Sequence, residues 1–267
     1  MKAEIVDISL MSMIVVYFLA FILFLILKKI KSGNEKNFLK ALTRMSVQLI
    51  IVGYVLKYIF AVNSLIIIII IYLFMSSFAT YTIVSKVNFK IKHQFAIVFF
   101  PIFLIGLLLT IFFLLFIAKT SPWYDARYFI PIAGMVLGNS MNACALSIER
   151  LVSEIKTNIL KIETLISVGA TPFESVSDEI FKSIRAASLP IITNMSGIGV
   201  VFLPGLMTGQ ILSGTDPIIS IKYQIAIMIC IVSSLSFSSI AIIFLTYKNF
   251  FTIRGQLKKE IIDEQGI

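Results

Sequence analysis

The feature that most constrains this chain is a stretch of 19 residues without a charged side chain, from Ser9 to Leu27. In a helix it would measure about 28 Å, close to the ~30 Å of a hydrocarbon layer. Glu4 and Asp7 precede it and lysines follow it, which is the reverse of the charge order in a secretory signal. We therefore expect a retained first membrane span.

Six more apolar runs follow, and apolar residues make up 58% of the chain against 14% charged residues. Too few polar side chains are present to cover a soluble globule, so lipid is the expected solvent. The sequence predicts an all-α polytopic membrane protein with about seven transmembrane helices in one permease domain, residues 1–267. The six runs are 45–60, 64–84, 95–118, 128–148, 189–212 and 223–247. Only Lys57 and the Asn63-Ser64 turn separate the second span from the third, so its independence is open.

The positions of the 23 basic residues predict the orientation of the spans. Eighteen of them lie in alternate connections: the first, third and fifth loops and the segment after the last run. The other side has Lys2, Lys57, Lys119, Arg127 and Lys222. Because cytoplasmic loops are enriched in Lys and Arg, we expect an outside N-terminus and a cytoplasmic C-terminus. The net charge of +9 thus reflects topology and does not indicate nucleic-acid binding.

One connection, residues 149–188, is polar but has helical periodicity. Its isoleucines recur at positions 155, 159, 162 and 166, which predicts an amphipathic helix. Gly169 is suited to the left-handed backbone that ends such a helix. Thr171 and Glu174 then match a capping box with Pro172 at the first helical position, so a second helix follows at once. The sequence predicts a rigid cytoplasmic hairpin, and its mixed charges favour a protein partner over the membrane surface.

The sequence lacks the motifs of a nucleotide site or of a catalytic centre. No Gly-Lys pair occurs anywhere, so the usual phosphate-binding loop is absent. His93 is the only histidine, and Cys144 and Cys230 lack the spacing of a metal or disulfide site, which predicts buried, unreactive thiols. We expect no enzymatic activity in this chain, and the sequence does not identify any metal ligands.

Polar side chains inside the spans are the candidates for a substrate pathway, because lipid offers them no partner. Asn139 and Asn142 share one face of the fifth span, where they could either line a path or bond to a neighbouring helix. The sixth span is interrupted by Pro204 and rich in glycine, which predicts a kinked helix. The candidate pathway residues are Asn139, Asn142, Asn194, Met207 and Thr208.

Four segments together resemble one known family: residues 134–142, 168–172, 189–190 and 202–210. These runs are similar to the FetB (YbbM) family, permease subunits of bacterial ABC transporters implicated in iron export. Its relatives include plant ABC transporters of aluminium tolerance. The resemblance extends over most of the chain and implies a bacterial cell-membrane homodimer driven by a separate cytoplasmic ATPase, which would bind ATP and Mg. Iron or another metal ion as cargo rests on this resemblance alone.

Glu163, Gly169, Leu189 and Pro190 also follow the order of the coupling signature of ABC importer permeases, although 20 residues separate Gly169 from Leu189, more than in that signature. The resemblance implies that the hairpin contacts the ATPase. The candidate coupling residues are Glu163, Gly169, Ala170, Thr171, Pro172 and Phe173.

Two other classes of function remain open: a membrane assembly or signalling protein that recruits a soluble partner, and an ion-driven secondary carrier. The residues themselves specify neither cargo nor direction.

Overall fold

The structure is a computed structural model, and it describes residues 7–31, 33, 35–86 and 93–258. The described residues form nine α-helices, which confirms the predicted all-α class. They are α1 Leu10–Lys29, α2 Glu35–Val62, α3 Leu65–Lys86, α4 Gln94–Phe112, α5 Ala126–Thr157, α6 Ile159–Ser167, α7 Pro172–Gly197, α8 Gly205–Leu212 and α9 Pro217–Thr246. A π-helical segment, Phe113–Ala118, extends α4, and a 3-10 turn, Tyr247–Phe250, extends α9.

Six helices are long and apolar enough to cross a membrane: α1, α2, α3, α4 with its π-helical extension, α5, and α9 with its 3-10 turn. The predicted sixth span, residues 189–212, is not one kinked helix. α7 ends at Gly197 and α8 begins only at Gly205. Gly199 has φ +82°, and Pro204 has no N–H to continue the helical ladder, so the chain leaves the helix between them. Two separate helices with a break between them therefore replace the single continuous helix predicted for residues 189–212.

The second predicted span is a separate helix, as α2 ends at Val62 and α3 begins at Leu65. Asn63 lies between them with φ +40°, a left-handed conformation that asparagine tolerates. Its side-chain oxygen accepts a hydrogen bond from the backbone N–H of Ala126 at 3.0 Å. The break between α2 and α3 is therefore held against the beginning of α5.

α5 lies at the centre of the bundle and packs against α3, α4, α7 and α9. Small polar residues face each other along its contact with α9. The hydroxyl oxygens of Ser140 and Ser234 are 3.0 Å apart, and the Cys144 sulfur is 3.7 Å from the Ser239 hydroxyl. Small side chains allow membrane helices to approach closely and to satisfy polar groups across the contact. Cys144 and Cys230 are buried free thiols, as predicted.

α1 has no buried residue, and its main helix contact is with α2. The hydroxyl of Tyr17 donates to Ser46 at 2.6 Å across this contact. The N-terminal pair of helices thus adds little to the core. Lys2, Lys90, Lys92 and Lys259, which contribute to the predicted orientation, lie outside the described residues. The outside N-terminus and cytoplasmic C-terminus stay predictions.

The predicted hairpin is present as a helical pair, but its first arm differs from the expectation. α5 runs without interruption from the apolar span into the polar segment and ends at Thr157. After Asn158, α6 covers Ile159–Ser167, and α7 starts at Pro172. The amphipathic stripe continues because Ile155 of α5 and Ile162 of α6 are both fully buried. We call α6, the 168–171 turn and the first half of α7 the hairpin.

Candidate permeation cleft and coupling hairpin

A cleft of about 190 Å³ lies between α5 and α7, with one side chain from α9 at its edge. Both walls contribute asparagines, and the remaining lining is apolar. The lining residues are Asn139, Asn142, Ala143 and Leu146 of α5, Ala187, Pro190, Ile191 and Asn194 of α7, and Leu235 of α9. The structure therefore brings together three of the five residues predicted for a pathway.

Asn139 and Asn142 face the cleft together because residues three apart lie on the same side of a helix. The Asn139 amide nitrogen donates to the carbonyl of Met135 at 2.8 Å, one turn earlier. This bond fixes the side chain along its own helix. It uses one of the two N–H donors of the amide and leaves the oxygen free to accept. Asn139 is half-buried, whereas Asn142 and Asn194 are exposed in the single chain. A ligand in the cleft would meet amide groups from two helices.

Pro190 lies inside α7 and lines the same cleft. A proline within a helix removes one i→i−4 hydrogen bond and favours a bend at that point. The bond lost here is the one to the carbonyl of Ala186. α7 therefore has its weakest backbone position where it forms the wall of the cleft.

Met207 and Thr208 do not line this cleft. Both belong to α8, where Met207 is buried and the Thr208 hydroxyl donates to the carbonyl of Pro204 at 3.1 Å. Asn194 belongs to α7 and Thr208 to α8, so the break between the two helices separates these predicted pathway residues. The part of Met207 and Thr208 in a pathway stays a prediction without support from the cleft.

The hairpin turn is built from local backbone chemistry. Gly169 has φ +97°, and its N–H donates to the carbonyl of Ile166 at 3.0 Å. The N–H of Ala170 donates to the carbonyl of Leu165 at 3.0 Å, so the last carbonyls of α6 are satisfied. A side chain at position 169 would meet no atom within 4 Å, so the backbone angle alone requires glycine.

The predicted capping box starts α7. The Glu174 N–H donates to the Thr171 hydroxyl at 3.3 Å, and the Thr171 N–H donates to the Glu174 carboxylate at 2.7 Å. The Thr171 hydroxyl also donates to this carboxylate at 2.7 Å. These bonds to the charged form lower the pKa of Glu174.

Ion pairs link the arms of the hairpin. The Lys161 ammonium of α6 lies 2.8 Å from Asp178 and 3.5 Å from the buried Glu179, both on α7. The hydrogen bond between Lys161 and Asp178 lowers the pKa of Asp178 and raises the pKa of Lys161. Lys161 and Asp178 are largely exposed, so their pair fixes geometry more than it adds stability.

Phe173 lies against α9, because its ring centroid is 5.9 Å from that of Phe244 and 6.0 Å from that of Tyr247.

Glu163 lies in an open cleft of about 870 Å³ between α6 and residues 251–258, which we call the 251–258 loop. Sequence reasoning did not include this loop in the site. Phe251 and Leu257 of the loop are buried, as is Phe250 of the preceding 3-10 turn.

Among the residues described, no group of three or more acidic, histidine or cysteine side chains is arranged to hold a metal ion. A transported cation in the α5–α7 cleft would instead meet amide oxygens, which are weak ligands of hard cations.

Comparison with known proteins places the chain. The Uncharacterised protein family UPF0014 matches residues 10–251. The chain belongs to this family. One relative is the UPF0014 membrane protein YjkA of Bacillus subtilis. It is 34% identical over 236 residues, which cover 87% of this chain and 91% of the relative. No solved structure matches the chain.

Two further relatives have names that refer to a metal. The Probable iron export permease protein FetB of Escherichia coli is 36% identical over 233 residues, covering 87% of this chain and 88% of the relative. Protein ALUMINUM SENSITIVE 3 of Arabidopsis thaliana is 32% identical over 227 residues, which cover 85% of this chain and 82% of the relative. The resemblance inferred from the motifs is confirmed, and the chain is a multi-pass membrane protein of this family.

Proposed function

We propose that this chain is the membrane-spanning permease subunit of an ABC transporter that exports iron or another metal ion across a bacterial cell membrane. A separate cytoplasmic ATPase would bind ATP and Mg and provide the driving force. The permease would act as a homodimer. The name of the Escherichia coli relative, a probable iron export permease, supports the process and the cargo.

The observation that carries the proposal is the continuity of α7. This helix begins at the capping box of Thr171, in the hairpin, and reaches Asn194, in the cleft. Their separation of 23 positions corresponds to about 35 Å along a helix. A displacement of the hairpin by an ATPase would therefore be transmitted to the cleft wall, with Pro190 as the point of bending.

The homodimer is supported by polar side chains that the single chain leaves uncovered. Asn142 and Asn194 are exposed at the level of the apolar spans, where lipid cannot satisfy an amide. A second copy packed on the α5–α7 face would enclose them and would turn the cleft into a path between two chains.

The cleft chemistry agrees with a cation that passes without being held tightly. Amide oxygens from Asn139, Asn142 and Asn194 would replace part of its hydration shell. A transport site must release its cargo, so weak neutral ligands suit passage better than a cluster of carboxylates.

The test is purification of this chain from its native membrane in mild detergent, followed by mass spectrometry and an ATPase assay. We expect an ABC ATPase to co-purify and the eluate to hydrolyse ATP. Recovery of this chain without an ATPase would favour the ion-driven carrier. Recovery with a soluble partner that hydrolyses no ATP would favour the assembly or signalling protein.

A further inference from the structure

The 251–258 loop folds back onto the turn of the hairpin. The Thr252 N–H donates to the carbonyl of Gln256 at 2.8 Å, and the Lys258 N–H donates to the carbonyl of Phe250 at 2.7 Å, which closes the loop. Phe251 and Leu257 anchor it because both are buried. A Cβ atom at Gly255 would lie 3.5 Å from Pro172, the first residue of α7, so the loop lies close to the hairpin turn.

The loop presents its two central side chains outward. Ile253 is fully exposed, with 108% of its reference area, and Arg254 next to it is also exposed. Within the part of the chain that the structure describes, Arg254 makes no ion pair. An isoleucine on a loop with anchored ends loses little entropy when a partner covers it.

The hairpin adds two more exposed apolar side chains. Leu160 of α6 has 82% of its area exposed, and Val168 at the turn has 77% exposed. The open cleft of about 870 Å³ lies between α6 and the loop. Arg254 and Lys258 line it opposite Glu163, so basic side chains outnumber acidic ones there.

We do not expect lipid headgroups to contact this surface. The charged part of α7 extends to Arg185, and Pro172 lies 13 residues before it, about 20 Å along the helix. The headgroup region of a bilayer is only about 5–8 Å deep on each side. With α7 along the membrane normal, a protein can reach the turn, whereas the membrane interface does not extend that far.

We propose that the 251–258 loop is a second docking element for the ATPase, beside the hairpin. Ile253 would fill an apolar hollow of the ATPase, and Arg254 would pair with an acidic side chain at its rim. Loop and hairpin together would form one continuous surface, held in register by the close approach of Gly255 to Pro172. This inference rests on the proposed function, since it names a further contact of the same partner.

Site-specific photo-crosslinking in native membranes tests the proposal. A photoreactive phenylalanine analogue would be placed at position 253, at position 168 in the hairpin turn, and at position 54 in α2, where Tyr54 is exposed within a span. We expect positions 253 and 168 to crosslink to the same ABC ATPase, identified by its peptides, and position 54 not to do so.

The outcomes separate this inference from the proposed function. A crosslink to the ATPase from position 168 but not from position 253 would overturn the role of the loop and keep the transporter. A crosslink from position 253 to lipid or to a second copy of this chain would also overturn it. If no position crosslinks to an ATPase, and no ATPase co-purifies with this chain, the proposed function itself is contradicted.

Binding measurements with the co-purified ATPase give a second readout. Ile253→Ser should weaken the complex by about tenfold or more, whereas Ile253→Val should stay within about twofold. Arg254→Glu should weaken it and Arg254→Lys should largely retain it. Both side chains are exposed, so the permease should remain folded. Unchanged affinity in Ile253→Ser and Arg254→Glu would overturn the proposal.

Discussion

The ammonium nitrogen of Lys182 on α7 lies 3.1 Å from a carboxylate oxygen of Glu154 on α5. Glu154 also pairs with Arg150, one turn earlier on its own helix, at 2.5 Å. α5 and α7 are the two helices that carry the asparagines of the cleft. The contact between Glu154 and Lys182 therefore ties both cleft walls together on the side of the hairpin, and a displaced hairpin would move them as a pair.

Reversing the charge of Lys182 should loosen this link. Lys182→Glu places two carboxylates together, and we expect it to lower the free energy of unfolding by about 1 kcal/mol or less, because the lysine is half-exposed. The larger effect should be on coupling, measured as ATP hydrolysed per ion transported. Lys182→Arg keeps the pair and is the matched control. An unchanged ratio in Lys182→Glu would show that this contact transmits nothing.

Gly169→Val should disrupt the hairpin turn. A β-branched residue at φ +97° costs about 1–3 kcal/mol, so the turn should rearrange and ATP-dependent transport should fall. Gly53→Val is the control, because Gly53 lies in α2 without a positive φ and also has open space around it. Full transport by Gly169→Val, with Gly53→Val equally active, would show that the turn geometry is irrelevant to coupling.

Removing the capping hydroxyl should destabilise the start of α7. Thr171→Ala deletes the acceptor of the Glu174 N–H, and we expect a loss of about 1 kcal/mol in the free energy of unfolding. Thr171→Ser retains a hydroxyl and should lose much less. Chemical denaturation of the purified protein in detergent measures both. Equal stability of the alanine and serine variants would contradict the capping role.

The hairpin should also respond to pH. Folding lowers the pKa of Glu174 and of Asp178, so their contributions are present at neutral pH and are lost as the pH falls below the ordinary carboxyl range. Lys161 has a raised pKa, so its contribution persists at neutral pH and is lost only in strong alkali. The hydrogen-exchange protection factors of residues 171–178, taken relative to the intrinsic exchange rate at each pH, should fall on acidification. Glu174→Gln should reduce this acid sensitivity, and an unchanged acid response would contradict the assignment.

Replacing Asn139 and Asn142 together by leucine tests the cleft. Leucine has a similar size but removes both amides, so we expect ion flux to fall by more than the yield of folded dimer falls. Flux in vesicles and size-exclusion chromatography of the same preparation provide the two measurements. Parallel loss of flux and of folded dimer would mean that the amides hold helices together instead of meeting cargo.

The spans and the hairpin turn were predictable because each has a local physical cause. Continuous apolar runs identify helices α1 to α5 and α9, and the Gly169 turn and the Thr171 cap are encoded in a few adjacent residues. The break between Gly197 and Gly205 was not predictable from hydropathy, since two half-helices have the same apolar composition as one whole helix. Glycine and Pro204 indicated weakness there, but whether a helix bends or stops depends on tertiary packing.

The cleft was predictable in part. Helical periodicity placed Asn139 and Asn142 on one face, but only the pairing of α5 with α7 brought Asn194 opposite them. The 251–258 loop was missed because its close approach to Pro172 joins residues about 80 positions apart, and no local pattern encodes it. Such long-range contacts depend on how the helices assemble.

The most direct measurement of the central claim is Fe²⁺ movement in proteoliposomes that contain this chain and its co-purified ATPase, with ATP added outside. For an exporter whose ATPase faces outward, we predict that Fe²⁺ accumulates inside the vesicles, that accumulation requires both subunits and hydrolysable ATP, and that Gly169→Val abolishes it. ATP hydrolysis without accumulation of Fe²⁺ or of any other tested metal ion would contradict metal export. Accumulation driven by an ion gradient without the ATPase would contradict the ABC transporter altogether.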